Sequence, residues 1–321
     1  MKFTDTLTWH RKRSEVDIEQ IAREVYESIA RTVDNRWFEH QCSSVGCREG
    51  FVVIDGNERL FRLICNATKK KTAPSNGEPA KYDQLCIRDP IRGNNHIDAS
   101  QYCQFHAPSS KTLESEAMEA MDFRRITRSM AKHIPMTVTS GLGCKEDGRV
   151  DRFYTRSAGM LYMFRPCGIR LSHWEMYTSE SLSQVFLCLL DLFGNDITNL
   201  RGIVYDRACD LHPFIEKLAR EGNQFAKLIV HLLYLVDVFH VEGHTMPKCV
   251  LGNAACQYHP HLEKFNHVRG MNTEIAEQSF RYINPFKYIT KRMTYGKRLV
   301  YLKLLDNFTN TKKEESNASA E

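Results

Sequence analysis

His240, His244, Cys249 and Cys256 fall within one stretch, FHVEGHTMPKCVLGNAAC, and MNTEIAEQSF follows closely. Two kinds of chemistry therefore lie side by side. The His and Cys side chains are the ligand types of tetrahedral zinc, and four protein ligands leave no open position, so this site reads as structural rather than catalytic. His240 and His244, at i and i+4, share one face if helical. Beyond them Glu274 and Glu277 stand near the start of a helix, and upstream the apolar GIVY delivers Asp206 to the polar end of a buried strand. Carboxylates from distant segments can hold a Mg2+ pair for in-line attack on a phosphodiester, a site that usually needs a third acid. Asp237, in YLVDVFH, is a reserve candidate. The plainer readings are a helix cap for a strand-end Asp and a solvated face for a lone Glu.

A second ligand set is Cys42, Cys47, Cys65, Cys86, Cys103 and His106. FVVIDGNERLFRLIC predicts a hairpin turning at Asp55-Gly56, since Asp-Gly between apolar runs is a strong hairpin signal. That turn would bring Cys65 within a residue of facing Cys47. Six donors exceed one tetrahedral ion, so two are spare or a second ion completes its shell with His40, His96 or water. Scattered core thiols are the plain alternative. From Arg281 to Arg298, the basic Arg281, Lys287, Lys291, Arg292, Lys297 and Arg298 alternate with Tyr282, Phe286, Tyr288 and Tyr295. This pattern suits a phosphate-tracking surface, and equally an ordinary solvated face.

The elements that must position these groups follow from periodicity. Helices are predicted over 14–32, 111–133, 179–193 (capped by Ser179), from about Pro213 to Leu218, from near Thr273 to before Pro285, and over roughly 295–306. SAGMLYMFRPCGIRLSHWEMY reads as two strands around a Pro166–Gly168 turn, and RGIVYD as another. The apolar run 225–239 is a buried helix or strand. Strands interleaved with helices indicate an α/β core. The chain has 321 residues, 42% hydrophobic and 10% aromatic, which supports a sizeable core and a prior of two domains. A net charge of +5 permits a polyanion partner without requiring one. No apolar run has membrane-span length, and the N-terminus lacks the apolar segment of a signal peptide. Inside the cell, eleven cysteines then read as zinc ligands and buried thiols rather than disulfides. Serine-hydrolase, P-loop and dinucleotide-binding motifs are absent.

Taken in order, YDRACDLHPFI, FHVEGHTMPKC, MNTEIAEQSFRYIN and ITKRMTYGKRL resemble the C-terminal half of the Kyakuja–Dileera–Zisupton transposases. VGCREGFVVIDGNERLFRLIC with SQYCQFH is similar to the CxC cysteine-cluster domains associated with them. The resemblance spans most of residues 40–310. It implies a ribonuclease-H-like core with a zinc-binding insert, preceded by a small zinc-stabilised α+β module. It also implies an Asp-Asp-Glu metal triad, in which Asp206 matches the second acid and Glu277 the third, with Glu274 a poorer substitute. The first acid belongs on the opening strand, read here as SAGMLYMF, which carries no carboxylate; Asp151 and Glu175 lie nearby without matching. The expectation is therefore a nuclear, zinc-containing, transposase-derived DNA-binding protein that has lost catalysis, with Mg2+ required only if activity survives. An active transposase and a chromatin adaptor that docks a protein partner through the cysteine module are the alternatives. The expected organisation is a helical segment 1–36, a zinc module 37–108, a helical linker 109–140, the transposase-derived domain 141–311 and a disordered tail 312–321.

Overall fold

The computed structural model describes residues 36–40, 42–73, 80–86, 156–176, 180–194, 196–241, 256–260 and 262–318, with backbone alone for 65–73, 80–86, 241, 317 and 318. The predicted helices 14–32 and 111–133, together with Asp151, lie outside these residues.

A mixed five-stranded sheet forms the core of the α/β fold. Its strands are β1 (Phe51–Asn57), β4 (Gly159–Phe164), β5 (Arg170–Met176), β6 (Gly202–Tyr205) and β7 (Leu233–Leu235), in the order β5-β4-β1-β6-β7. The half β5-β4-β1 is antiparallel, and the half β1-β6-β7 is parallel. The central strands are short apolar runs covered on both faces, as a sandwiched sheet requires. Phe51–Ile54 and every residue of β4 and β6 are buried. Gly202 is dictated by packing: a Cβ there would drive into the Phe51 ring of the neighbouring strand.

The predicted hairpin at Asp55-Gly56 does not form. β1 runs straight through this dipeptide, pairing with β4 from Val53↔Phe164 to Asn57↔Met160 and with β6 from Phe51↔Gly202 to Ile54↔Tyr205. Ladders on both edges satisfy the backbone more fully than a local turn would. The chain turns only after Asn57, whose carbonyl accepts from the Leu60 N–H. Gly56 serves an approach rather than a turn, because a Cβ there would collide with the Glu180 carboxylate. β2 (Cys65–Ala73) and β3 (Ala80–Cys86) make a separate antiparallel pair whose Cα register sets Cys65 opposite Cys86, not Cys47.

The two strands predicted within 157–177 are β4 and β5. Helix α1 (Leu182–Phe193) is capped by Ser181, which accepts from Gln184 N–H, two residues later than predicted. Helix α2 (Ala208–Arg220) begins about a turn before, and ends just after, the helix predicted from about Pro213 to Leu218. The apolar run 225–239 divides into α3 (Gln224–Ile229), β7 and α4 (Val238–Val241). Phe186 of α1 joins α2 and α3 through edge contacts with Phe214 and Phe225. Helix α5 (Ile275–Ile283) lays Phe280 edge-on against Tyr162 and Phe164 of β4. The short helix α6 (Lys287–Thr290) follows it.

The chain divides into two compact units, one of residues 39–292 and one uniting the N-terminus to Phe38 with 293–321. In the second, helix α7 (Tyr295–Ala318) continues past residue 312, where a disordered tail was expected. Trp37 is buried there and donates to Asn307, while Arg36 pairs with Glu314 at 2.5 Å. Among the described residues no helix is long and apolar enough to cross a membrane.

Candidate active site

The register of β1 and β6 brings two acids together. Ile54 pairs with Tyr205 in parallel sense, so the next residues come side by side, Asp55 still within β1 and Asp206 just past the end of β6. Neighbouring strands are about 4.8 Å apart, and aligned residues share a face. SAGMLYMF, the strand β4, is thus not the one that runs beside β6; FVVIDGN, the strand β1, is, and it carries Asp55.

A third carboxylate, Glu277, is brought in by α5. Asn57, at the end of β1, donates to Asn284 just beyond this helix, and Phe280 anchors it on β4. Glu277, one turn before Phe280, is brought close enough to Asp55 for the two carboxyls to influence each other. The preceding Asn272-Thr273 pair builds the entry to the helix. Asn272 accepts from Glu274 N–H, and the Thr273 hydroxyl donates to Asp237 at 3.3 Å and accepts from Val238 N–H. Glu274 stands at the N-cap position, so Glu277 is the glutamate that joins the acids.

Asp237 and His240 complete the group. His240 Nδ1 lies 3.0 Å from Asp237 Oδ2 and 3.7 Å from Glu277 Oε1, and these three residues offer ligand atoms within 4.8 Å of one another. Glu180, unremarked in the sequence, closes the site from the residues before α1, beside Gly56 and Tyr205. The electrostatics follow from crowding. Burial first, then the charges of Glu180, Glu277 and Asp206, push Asp55 well above the usual carboxylate range. Burial likewise raises Glu277, reinforced by Asp237 and opposed by its own helix-start N–H, His240 and Asp55. The hydrogen bond to Asp237 raises His240 against the desolvation that would lower it, with Asp206 and Glu277 adding to the rise.

A raised histidine stabilises the fold fully below its ordinary value of about 6.5 and loses that contribution as pH rises through its folded value. Cation-free His240→Gln protein should thus be less stable than the parent in acid, with the deficit shrinking as pH rises. Thermal unfolding from pH 5 to 9 checks this; a constant deficit would mean that His240 acts through packing instead.

The sequence-predicted zinc quartet is not gathered by the described residues. His244 and Cys249 lie outside them. His240 faces the acids, and Cys256 is buried at 8% exposure beside Tyr258. Glu175, once a possible first acid, is ion-paired with Arg62 at 2.8 Å inside the protein. Of the basic set, Arg281 and Arg292 are exposed on the larger unit, with Lys287 and Lys291 partly so; on the smaller unit Lys297 is exposed, whereas Arg298 is 2% exposed.

A second cluster lies elsewhere on the larger unit. His40, Cys42 and Cys167 offer ligand atoms within 4.8 Å of one another, and Cys47 Sγ accepts a hydrogen bond from Cys167 N–H at 3.3 Å. This group could hold a metal ion. Contact with the Cys47 thiol, resisted by burial and assisted by His40, brings Cys167 down to about 4. Cys42 and Cys47 were sequence candidates and His40 a reserve; Cys167 was read only as part of a turn. Cys65 and Cys86 are described by backbone alone, and Cys103 and His106 lie outside the described residues.

Comparison with curated proteins and with solved structures returns no match. The family model of the Kyakuja-Dileera-Zisupton transposase matches residues 145–310, which hold Asp206, Asp237 and Glu277 and exclude Asp55. That match covers more than half of the chain, and the protein belongs to the Kyakuja-Dileera-Zisupton transposase family.

Proposed function

We propose that this chain is a metal-dependent DNA strand-cutting and joining enzyme with a ribonuclease-H-like core, in which Asp55, Asp206 and Glu277 form the acidic triad. The single observation that carries this reading is the register of β1 and β6, which aligns Asp55 with Asp206. The mixed sheet, with one acid on the central strand and another ending its parallel neighbour, supports the ribonuclease-H-like assignment. The expected loss of catalysis rested on an opening strand without an acid; taking β1 as that strand supports an intact triad instead.

The donor set suits a hard divalent cation such as Mg2+, which takes carboxylate oxygens and keeps several waters. Glu277 Oε2 is buried without a hydrogen-bond partner, and Asp55 is crowded by like charges, so the site gains from a cation. Asp55, Asp206 and Glu277 would hold it, and the ion would supply charge stabilisation and activation of the attacking oxygen. Asp237 positions His240, and the imidazole balances part of the negative charge beside Glu277. Exposed Arg281 and Arg292, with Lys287 stacked over Tyr288 and with Tyr282 open to solvent, would track the phosphate backbone and stack on unpaired bases. DNA is accordingly the partner, and the nucleus the place of action.

The test is nicking of supercoiled DNA with Mg2+ or Mn2+, by the parent and by Asp206→Ala. Robust nicking lost in the variant supports the proposal. Salt-dependent binding without nicking would restore the degenerate reading, and absence of both would favour a protein-docking adaptor. Independently of turnover, Mg2+ or Mn2+ at 100 times its Kd should stabilise the parent by about 2.7 kcal/mol. Calorimetry should record that gain and its loss in Asp206→Ala; equal gains in both would place the cation elsewhere.

A further inference from the structure

We propose that His40, Cys42, Cys47 and Cys167 bind one structural zinc ion that clamps the lead-in of β1 onto the turn between β4 and β5. Three thiols and an imidazole are a tetrahedral zinc donor set, and sulfur ligands disfavour Mg2+ and Ca2+. The spacing fits. Zinc bonds of about 2.3 Å to sulfur and 2.0–2.1 Å to nitrogen, at the tetrahedral angle, separate the two ligand atoms by about 3.5 Å. Cys167 Sγ lies 3.6 Å from His40 Nε2. The fourth donor is tied in through its neighbour, since Cys47 Sγ accepts the Cys167 N–H.

The backbone is shaped for this purpose. Arg165 N–H donates to Ile169, and Gly168 N–H donates to Arg165, closing a tight turn in which Gly168 takes φ +92° and Cys167 stands at the tip. In the turns that lead into β1, Cys47 N–H and Arg48 N–H both donate to Ser44, and Phe51 N–H returns to Gly46. Arg165 is buried within electrostatic reach of all three thiols. Its charge offsets the net negative charge that three thiolates leave on zinc. Cys47 and Cys167 are 120 positions apart, so one ion would close a very long loop. It would also fix the strand that begins at Phe51, which carries Asp55. Zinc binding here is independent of whether the acidic site cuts DNA.

The full-length, reduced protein is treated with a thiol alkylating reagent before and after chelation, and labelled cysteines are mapped by mass spectrometry alongside zinc analysis. Cys42, Cys47 and Cys167, all only partly buried, should be protected together and become reactive together when zinc is removed. Cys167→Ser should lose one zinc per chain and expose Cys42 and Cys47 without chelator. Cys188, at 1% exposure in the core, reports whether the variant is folded. If it also reacts, the parent footprint decides. Full labelling of the three thiols in zinc-loaded parent, a Cys47–Cys167 disulfide in the zinc-loaded protein, or a folded Cys167→Ser variant with unchanged zinc content would each overturn the site.

Discussion

Asp55→Asn should abolish cation-dependent nicking while making the cation-free protein more stable. The substitution keeps shape and removes charge. Outer partners of metal ligands already cost roughly 10–100-fold when mutated, so loss of a direct ligand should exceed about 100-fold. The stability change has the opposite sign. Asp55 is raised well above its ordinary value by burial, then by the charges of Glu180, Glu277 and Asp206. A carboxyl with a raised folded value favours the fold below its unfolded value, near 4, and loses that contribution as pH climbs through the folded value. At neutral pH the ionised form therefore works against the cation-free fold, and Asn relieves it. For a unit of this size each 1 kcal/mol of relief lifts the midpoint by about 2–4 °C. The gain should vanish near pH 4 and grow towards pH 8. Glu274→Gln, at the helix entrance, should leave nicking intact. An active Asp55→Asn enzyme, or one destabilised at neutral pH, would show that Asp55 is not the missing acid.

Asp206 and Glu277, two of the proposed acids, stand out in the sequence by local pattern: an acid closing GIVY, and a glutamate early in an amphipathic helix. The same pattern reading failed at Asp55. Asp-Gly between apolar runs favours a hairpin locally, but β1 is held by partners more than 100 residues away on one side and more than 150 on the other. Only that pairing shows that FVVIDGN is central rather than half of a hairpin, and the error also misplaced Cys65 opposite Cys47. His240 was read with its sequence neighbours His244 and Cys249, which lie outside the described residues; within them its ring is hydrogen-bonded to Asp237 and lies beside Glu277. Cys167, between Pro166 and Gly168, has no nearby ligand to form a motif, and its partners lie at the other end of a long loop closure. Apolar runs thus revealed most strands, whereas the site depends on register between distant ones.

Arg62→Met should be the most damaging single change outside the acidic site. Arg62 follows β1, and its guanidinium meets Glu175 of β5 with both side chains essentially buried, at 0% and 2% exposure. Its backbone exchanges bonds with Ser157: Ser157 N–H donates to Arg62, and Arg62 N–H donates to the Ser157 hydroxyl. Removing one member of a buried pair leaves the other charge unpaired and costs about 3–5 kcal/mol, or roughly 6–20 °C in midpoint. Replacing both members with apolar residues of similar volume is often neutral or better. Arg62→Met with Glu175→Met should therefore recover most of the loss. The pair also separates two assignments of the acids. If Glu175 only balances Arg62, the double variant regains nicking along with stability. A stable double variant that binds DNA but cannot nick it would place Glu175 in the catalytic set, and the ion pair would then have to be a resting arrangement that opens during turnover.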